Sequence, residues 1–79
     1  MASASNMVKG FILIKTVPEK EHEVYNRLLD VEEIVNLHPL FGEYDLLAEV
    51  RVKKVYELEK IVSNKIRALD GVSETRIRK

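Results

Sequence analysis

Val8-Lys9-Gly10-Phe11-Ile12-Leu13-Ile14-Lys15-Thr16-Val17 decides how the chain folds. It is rich in β-branched and aromatic residues, as a strand requires, but it does not alternate cleanly between apolar and polar. Phe11 and Leu13 share one parity and Val8, Ile12 and Ile14 share the other. A strand with apolar groups on both parities is covered on both faces. Parity alone does not say which set meets the rest of its own chain.

Working outward, Thr16-Val17-Pro18-Glu19 reads as a helix start, with Thr16 as N-cap, Pro18 in the first turn and Glu19, Glu21 and Glu23 at the positive end of the dipole. The helix runs to about Asp30, with Val24, Tyr25, Leu28 and Leu29 as its apolar stripe. From Glu32 to Leu40 the pattern is strand-like, carried by Ile34, Val35 and Leu37. Phe41-Gly42-Glu43 supplies a turn, and Tyr44 to Val52 a pairing strand with Leu46, Ala48, Val50 and Val52 on one parity. Lys53 and Lys54 close it. Val55, Leu58, Ile61, Val62, Ile66 and Leu69 then repeat at three and four residues, a second helix ended by Gly71 as a left-handed cap. Val72 to Arg78 is a last short strand.

The order strand, helix, strand, strand, helix, strand is the ferredoxin-like βαββαβ arrangement, an α+β fold with a four-stranded antiparallel sheet. Right-handed crossovers place both helices on one face. The other face, on the order of 400 Å² for strands about 4.8 Å apart, has no cover within the chain. Either Phe11 and Leu13 or Ile12 and Ile14 must lie on it, so a dimer meeting through its sheets is the economical expectation.

The 79 residues hold one domain at most, and a chain this short buries only about 60% of its unfolded surface. With no cysteine there is no disulfide or thiolate-bound metal to staple it, which also points to self-association. Thirteen basic and thirteen acidic side chains cancel, removing the broad attraction to phosphate that direct DNA binding relies on. The longest apolar run, Phe11 to Ile14, is far too short for a membrane span, and the small polar residues 1–6 lack the core of a signal peptide. The expectation is a cytoplasmic protein with a tail over residues 1–6 and a domain over 7–79.

Chemistry leaves few traces. His22 and His38 are the only imidazoles and nothing in their spacing asks for a metal. Ser63 and Ser73 have no histidine nearby in sequence, and Gly10, Gly42 and Gly71 are too scattered to cradle a phosphate. No catalytic group, metal or cofactor is expected. Arg76, Arg78 and Lys79, with Lys53 and Lys54, read as a solvated cationic edge. The turn Gly42-Glu43-Tyr44-Asp45 stands out, because it combines permissive backbone, an aromatic surface and a carboxylate able to hold an ammonium group or to brace the turn.

Around this turn the run Ile34-Val35-Asn36-Leu37-His38-Pro39-Leu40-Phe41-Gly42-Glu43-Tyr44-Asp45-Leu46-Leu47 resembles the ligand-sensing (RAM) domain of the Lrp/AsnC family. His38, Gly42, Tyr44 and Asp45 stand at the family's motif positions, and Gly71-Val72-Ser73-Glu74-Thr75-Arg76 is similar to its entry into the last strand. The resemblance implies a ferredoxin-like domain that dimerises through its sheets and builds rings, commonly octamers, with amino-acid effectors held between dimers. It nominates Gly42, Glu43, Tyr44, Asp45, His38 and Thr75 as ligand-binding residues, the turn amides taking a carboxylate and Asp45 an ammonium. No helix-turn-helix fits before the first strand, so the likeness is to stand-alone sensing domains that act on transcription indirectly, by binding an effector or by joining full-length relatives. Phe41 stands where the family often has Ser or Thr, and Ile77 where a second Thr is frequent; both remove hydroxyls that a polar ligand would use. The rival readings are a dimeric α+β barrel enzyme such as a small monooxygenase, and a ligand-free assembly module.

Overall fold

The computed structural model describes residues 7–78; the expected tail over 1–6 and Lys79 lie outside the described residues. The elements are β1 (Val8–Thr16), α1 (Glu21–Leu28), β2 (Ile34–Pro39), β3 (Leu46–Val52), α2 (Tyr56–Ile61) running into a π-helical turn (Val62–Ile66), and β4 (Val72–Arg78). The strands form one antiparallel sheet in the order β2-β3-β1-β4, the ferredoxin-like topology.

The two-sided strand β1 therefore lies in the interior of the sheet, between β3 and β4. Ile12 and Ile14 are wholly buried and share one core with Val24 and Leu28 of α1, with Leu46, Ala48 and Val50 of β3, and with Leu58, Ile61, Val62 and Ile66 of the second helical segment. Both helices thus pack on one face, and the parity question is answered: Phe11 and Leu13 look the other way. Helix α2 comes so close to β1 that a Cβ on Gly10 would stand 2.7 Å from Leu58 Cδ2.

Two bulges tune which residues reach the core. Ile34 pairs with Val50 and Asn36 with Glu49, leaving Val35 as an extra residue, 44% exposed. Thr16 pairs with Val72 and Lys15 with Glu74, leaving Ser73 extra, and its hydroxyl donates to the Lys15 carbonyl at 3.1 Å. An extra residue shifts the alternation by one, so Ile34 and Leu37, and likewise Val72 and Thr75, share the helix side although they are three apart.

The helix starts and ends differ from the sequence reading. Thr16 is the last residue of β1 rather than an N-cap, and α1 begins only at Glu21, with Lys20 at its cap and no side-chain cap bond. Pro18 sits instead in a turn closed by the Lys20 N–H donating to the Val17 carbonyl at 3.0 Å, a place that suits its fixed φ. Glu19 follows at φ 75°, in the left-handed region.

The second helix is not α-helical throughout. The Arg67 N–H reaches back five residues to the Val62 carbonyl at 2.7 Å. In an unbroken α-helix Leu58 and Ile66 would point about 80° apart; one inserted residue makes them equivalent to a heptad spacing, within about 20°. Both are then buried on the sheet. Gly71, at φ 103°, follows as expected with a left-handed backbone, packed so that a Cβ would lie 2.8 Å from Val24 Cγ2.

The helix-free face is mixed rather than uniformly apolar. Register places His38, Leu47, Leu13 and Arg76 in one row across the four strands, and Asn36, Glu49, Phe11 and Arg78 in the next. Phe11, Leu13 and Leu47 make a half-buried apolar centre. Around it stand Lys9, Lys15 and Arg51 with Arg76 and Arg78, against Glu49 and Glu74. Glu49 is held by Lys9 at 3.4 Å and by the Asn36 amide at 3.2 Å.

Candidate functional site

The β2–β3 turn is built by backbone bonds at its base. The Leu40 N–H donates to the Asp45 carbonyl, and the Asp45 N–H donates to the Ile14 carbonyl, both at 2.9 Å. The Asp45 carboxylate then fastens the turn to β1: the Thr16 N–H and the Thr16 hydroxyl donate to Oδ2 at 2.8 and 3.0 Å. Thr16 is a buried polar residue, 6% exposed, so its donors need this partner. Asp45 is placed by that requirement, in the short gap where the chain crosses from turn to strand.

The tip is open. Gly42 has φ 129° with no atom within 4 Å of a would-be Cβ, and Gly42 and Glu43 are exposed. Tyr44 instead lies along the sheet, its hydroxyl donating to Glu74 Oε2 at 3.0 Å, so β4 and the turn are linked across β1. That carboxylate favours the protonated phenol and raises the Tyr44 pKa above its ordinary value. Phe41 projects with no cover, 101% exposed.

Beside the turn runs a groove of about 480 Å³, lined by Glu21, His22 and Tyr25 of α1 and by Pro39, Leu40, Asp45 and Leu46. Its volume falls within the roughly 300–1,000 Å³ of small-molecule sites, and its walls combine apolar surface with two carboxylates and an imidazole. Both hydrogen bonds to the Asp45 carboxylate fall on Oδ2. A carboxylate of this kind can take an ammonium group while the apolar wall receives a side chain.

Of the residues nominated from the sequence, Gly42, Glu43, Tyr44 and Asp45 are together in the turn, and of the six only Asp45 lines the groove. His38 projects from the helix-free face in the row of Leu47. Thr75 pairs with Ile14 on the helix side of β4 and lines a separate groove of about 380 Å³ with Glu59, Val62, Ser63, Arg67 and Ile77. Glu21, His22 and Tyr25 were not among the nominated residues. Local spacing assigns Tyr25 to the apolar stripe of α1 and gives Glu21 only a dipole role at the helix start; the packing of α1 beside the β2–β3 turn is what brings Glu21, His22 and Tyr25 together with Asp45. Among the described residues no group of three or more histidine, aspartate or glutamate side chains is gathered as a metal would need, and no helix is long and apolar enough to cross a membrane.

Comparison with known proteins places this geometry. The family model for the Lrp/AsnC ligand binding domain matches residues 9–78. The chain is 34% identical over 69 residues to an uncharacterized HTH-type transcriptional regulator, PH1916 of Pyrococcus horikoshii, covering 84% of this chain and 46% of that protein. It thus spans less than half the length of the curated relatives it matches. The crystal structure of FFRP-DM1 superposes with a TM-score of 0.83 at 32% identity, covering 90% of this chain and 95% of that one. The NMB0573/L-Met complex of Neisseria meningitidis shares the fold at a TM-score of 0.82 and 16% identity, covering 99% of this chain and 53% of that one.

Proposed function

The chain belongs to the Lrp/AsnC ligand binding domain family, and from that premise we propose that it is an effector-binding and assembly module that influences transcription indirectly. Its ligand is a small amino acid, received in the groove between α1 and the β2–β3 turn. The observation that carries this reading is the Asp45 carboxylate, immobilised by two bonds from Thr16 and set in the wall of a groove of about 480 Å³. A fixed carboxylate loses little freedom when an ammonium arrives, and in this reading the backbone amides of the turn take the ligand's own carboxylate. That one solved structure of this fold is described as an L-Met complex supports the same ligand class.

The assembly half of the proposal is a dimer meeting through the helix-free sheet face, with Phe11, Leu13 and Leu47 at its centre, and dimers joining into a ring, an octamer by the family pattern. Full-length regulators carrying a DNA-binding domain are the further partners. The module works in the cytoplasm, contacts no DNA or membrane itself and catalyses no reaction.

Calorimetric titration with each of the twenty amino acids, paired with mass measurement by light scattering, tests both halves. Binding of one amino acid, lost in Asp45→Asn, is the expected result. No heat with any amino acid rejects the effector half, and a monomer at all concentrations rejects the assembly half.

A ligand-free assembly module is the second reading, and one observation favours it. Phe41, wholly exposed at the turn tip, offers the groove an occupant of its own.

A further inference from the structure

Phe41 is 101% exposed, more uncovered than any other large apolar side chain among the described residues. Its surroundings are not flat. Pro39 and Leu40, directly before it in the chain, form one wall of the groove of about 480 Å³ whose other wall is Glu21, His22 and Tyr25. A projecting apolar knob and an apolar-walled hole of sufficient size thus adjoin on one surface of one chain. That is the layout of a self-complementary patch: a two-fold axis beside the turn carries each ring into the other copy's groove.

We propose that Phe41 is the anchor of a contact between dimers, its ring occupying the groove of a second copy of this chain and holding the assembly together without an effector. This rests on the sheet-paired dimer proposed above.

The size of the contact says which second copy it fits. A buried aromatic side chain removes roughly 150–250 Å² from water, so two rings with the groove walls they cover account for about 600–1,000 Å². A free-standing specific complex buries about 1,200–2,000 Å². The exchange is therefore too small to pair two lone chains durably, but sufficient between units already dimeric, where the same contact repeats and each closure raises the effective concentration for the next. Charge sets a second property. Beside the ring, Glu43 is carried toward the Glu21 and Asp45 carboxylates of the other copy, with His22 as the one cationisable group in the wall. Like charges oppose the contact and salt screens them, so the association tightens with ionic strength.

The test is sedimentation velocity of the full chain with no amino acid present, comparing the parent with Phe41→Ala and Phe41→Ser. A fully exposed ring supports nothing inside its own subunit, so these variants keep the parent's circular dichroism. Burying one ring favours association by at least about tenfold, and the two-fold contact loses two, so the dimer-to-dimer constant weakens about a hundredfold. The expected outcome is a parent larger than a dimer and variants that are dimers at the same concentration. A parent that is only a dimer overturns the proposal and leaves sheet pairing standing; a parent that is a monomer overturns both. Variants as large as the parent also overturn it.

A second measurement reports where the ring goes. Phe41→Trp gives the chain its sole tryptophan, as the sequence has none. Its emission is expected to shift to the blue as protein concentration rises and to return to that of an exposed indole on dilution. Emission that stays that of an exposed indole in assembled protein excludes a second copy as the occupant.

Discussion

Thr16 and Asp45, 29 residues apart in sequence, are joined twice at one atom: the Thr16 N–H and hydroxyl both donate to Asp45 Oδ2. The end of β1 and the entry to β3 are thereby locked together where the backbone ladder gives way to the turn. Thr16→Val keeps the shape and removes one of the two donors, and is expected to cost about 1 kcal/mol. Asp45→Ala strands both donors in a buried place and is expected to cost about 2–3 kcal/mol. Urea unfolding of the two variants checks the order, and equal losses would mean that the hydroxyl carries the whole effect.

Gly71 and Gly42 share a left-handed backbone but not a neighbourhood. At Gly71 an added Cβ meets Val24 Cγ2 at 2.8 Å and Lys20 Cβ at 2.9 Å, whereas at Gly42 nothing lies within 4 Å. Gly42→Ala carries the backbone strain alone, about 1–2 kcal/mol, and Gly71→Ala adds the displacement of α1, for about 2–4 kcal/mol. Thermal melts of both separate the two contributions by difference.

Glu19 pays for a left-handed φ of 75° at an exposed position. Glu19→Gly relieves about 1 kcal/mol of strain and gives back part of it as unfolded-chain entropy. A net gain of about 0.5 kcal/mol is expected, raising Tm by about 2–4 °C in a domain of this size. A lowered Tm would show that the Glu19 side chain contributes more than its backbone costs.

The Lys65 ammonium donates to both oxygens of Glu33, at 3.0 and 2.9 Å, and this bond holds the Glu33 pKa below its ordinary value. A carboxylate depressed in the folded state binds its proton more readily when unfolded. Its stabilisation is therefore present above the unfolded value, about 4.3, and is lost as pH falls through the folded value. The pair is partly exposed, so the effect is less than about 1 kcal/mol. Lys65→Met is expected to flatten the fall in stability below about pH 4.5 relative to the parent. Parallel pH profiles of the two would contradict this.

Leu13 and Leu47 stand directly opposite each other at the centre of the helix-free face. In the sheet-paired dimer proposed above, Leu13→Asp is expected to abolish pairing, leaving monomers in light scattering while the helix-side core keeps the fold. Added salt is expected to tighten the proposed dimer, because the cations of that face outnumber its carboxylates and two such faces must approach.

The sequence carried the element order, because each apolar pattern is local and its period is set by the backbone. Leu46, Ala48, Val50 and Val52 needed only alternation to be placed on one side of β3. The π turn and the bulges at Val35 and Ser73 were hidden for a common reason. Each shifts the phase of an element by one residue to satisfy a tertiary contact, and local spacing holds no record of it; the late start of α1 moves only a boundary, because Thr16 is drawn into β1 by its bonds to Asp45. The groove suffered from the same limit. Asp45 is conspicuous beside a glycine and an aromatic, but Glu21 and His22 read as helix surface and Tyr25 as part of an apolar stripe, and only the tertiary fold brings the start of α1 against the turn.

The uneven placing of charge makes the molecule an electric dipole although its formal charge is zero. Cations gather on the helix-free side, with Lys9, Lys15, Arg51, Arg76 and Arg78 there against Glu49 and Glu74, and an acidic excess remains on the helices and loops. Two copies drifting together in dilute buffer feel a torque that turns the sheet of one toward the helices of the other. Stacking head to tail is thus the encounter that long-range forces prefer, and the back-to-back dimer proposed above would form against them, by short-range contact between its few apolar residues.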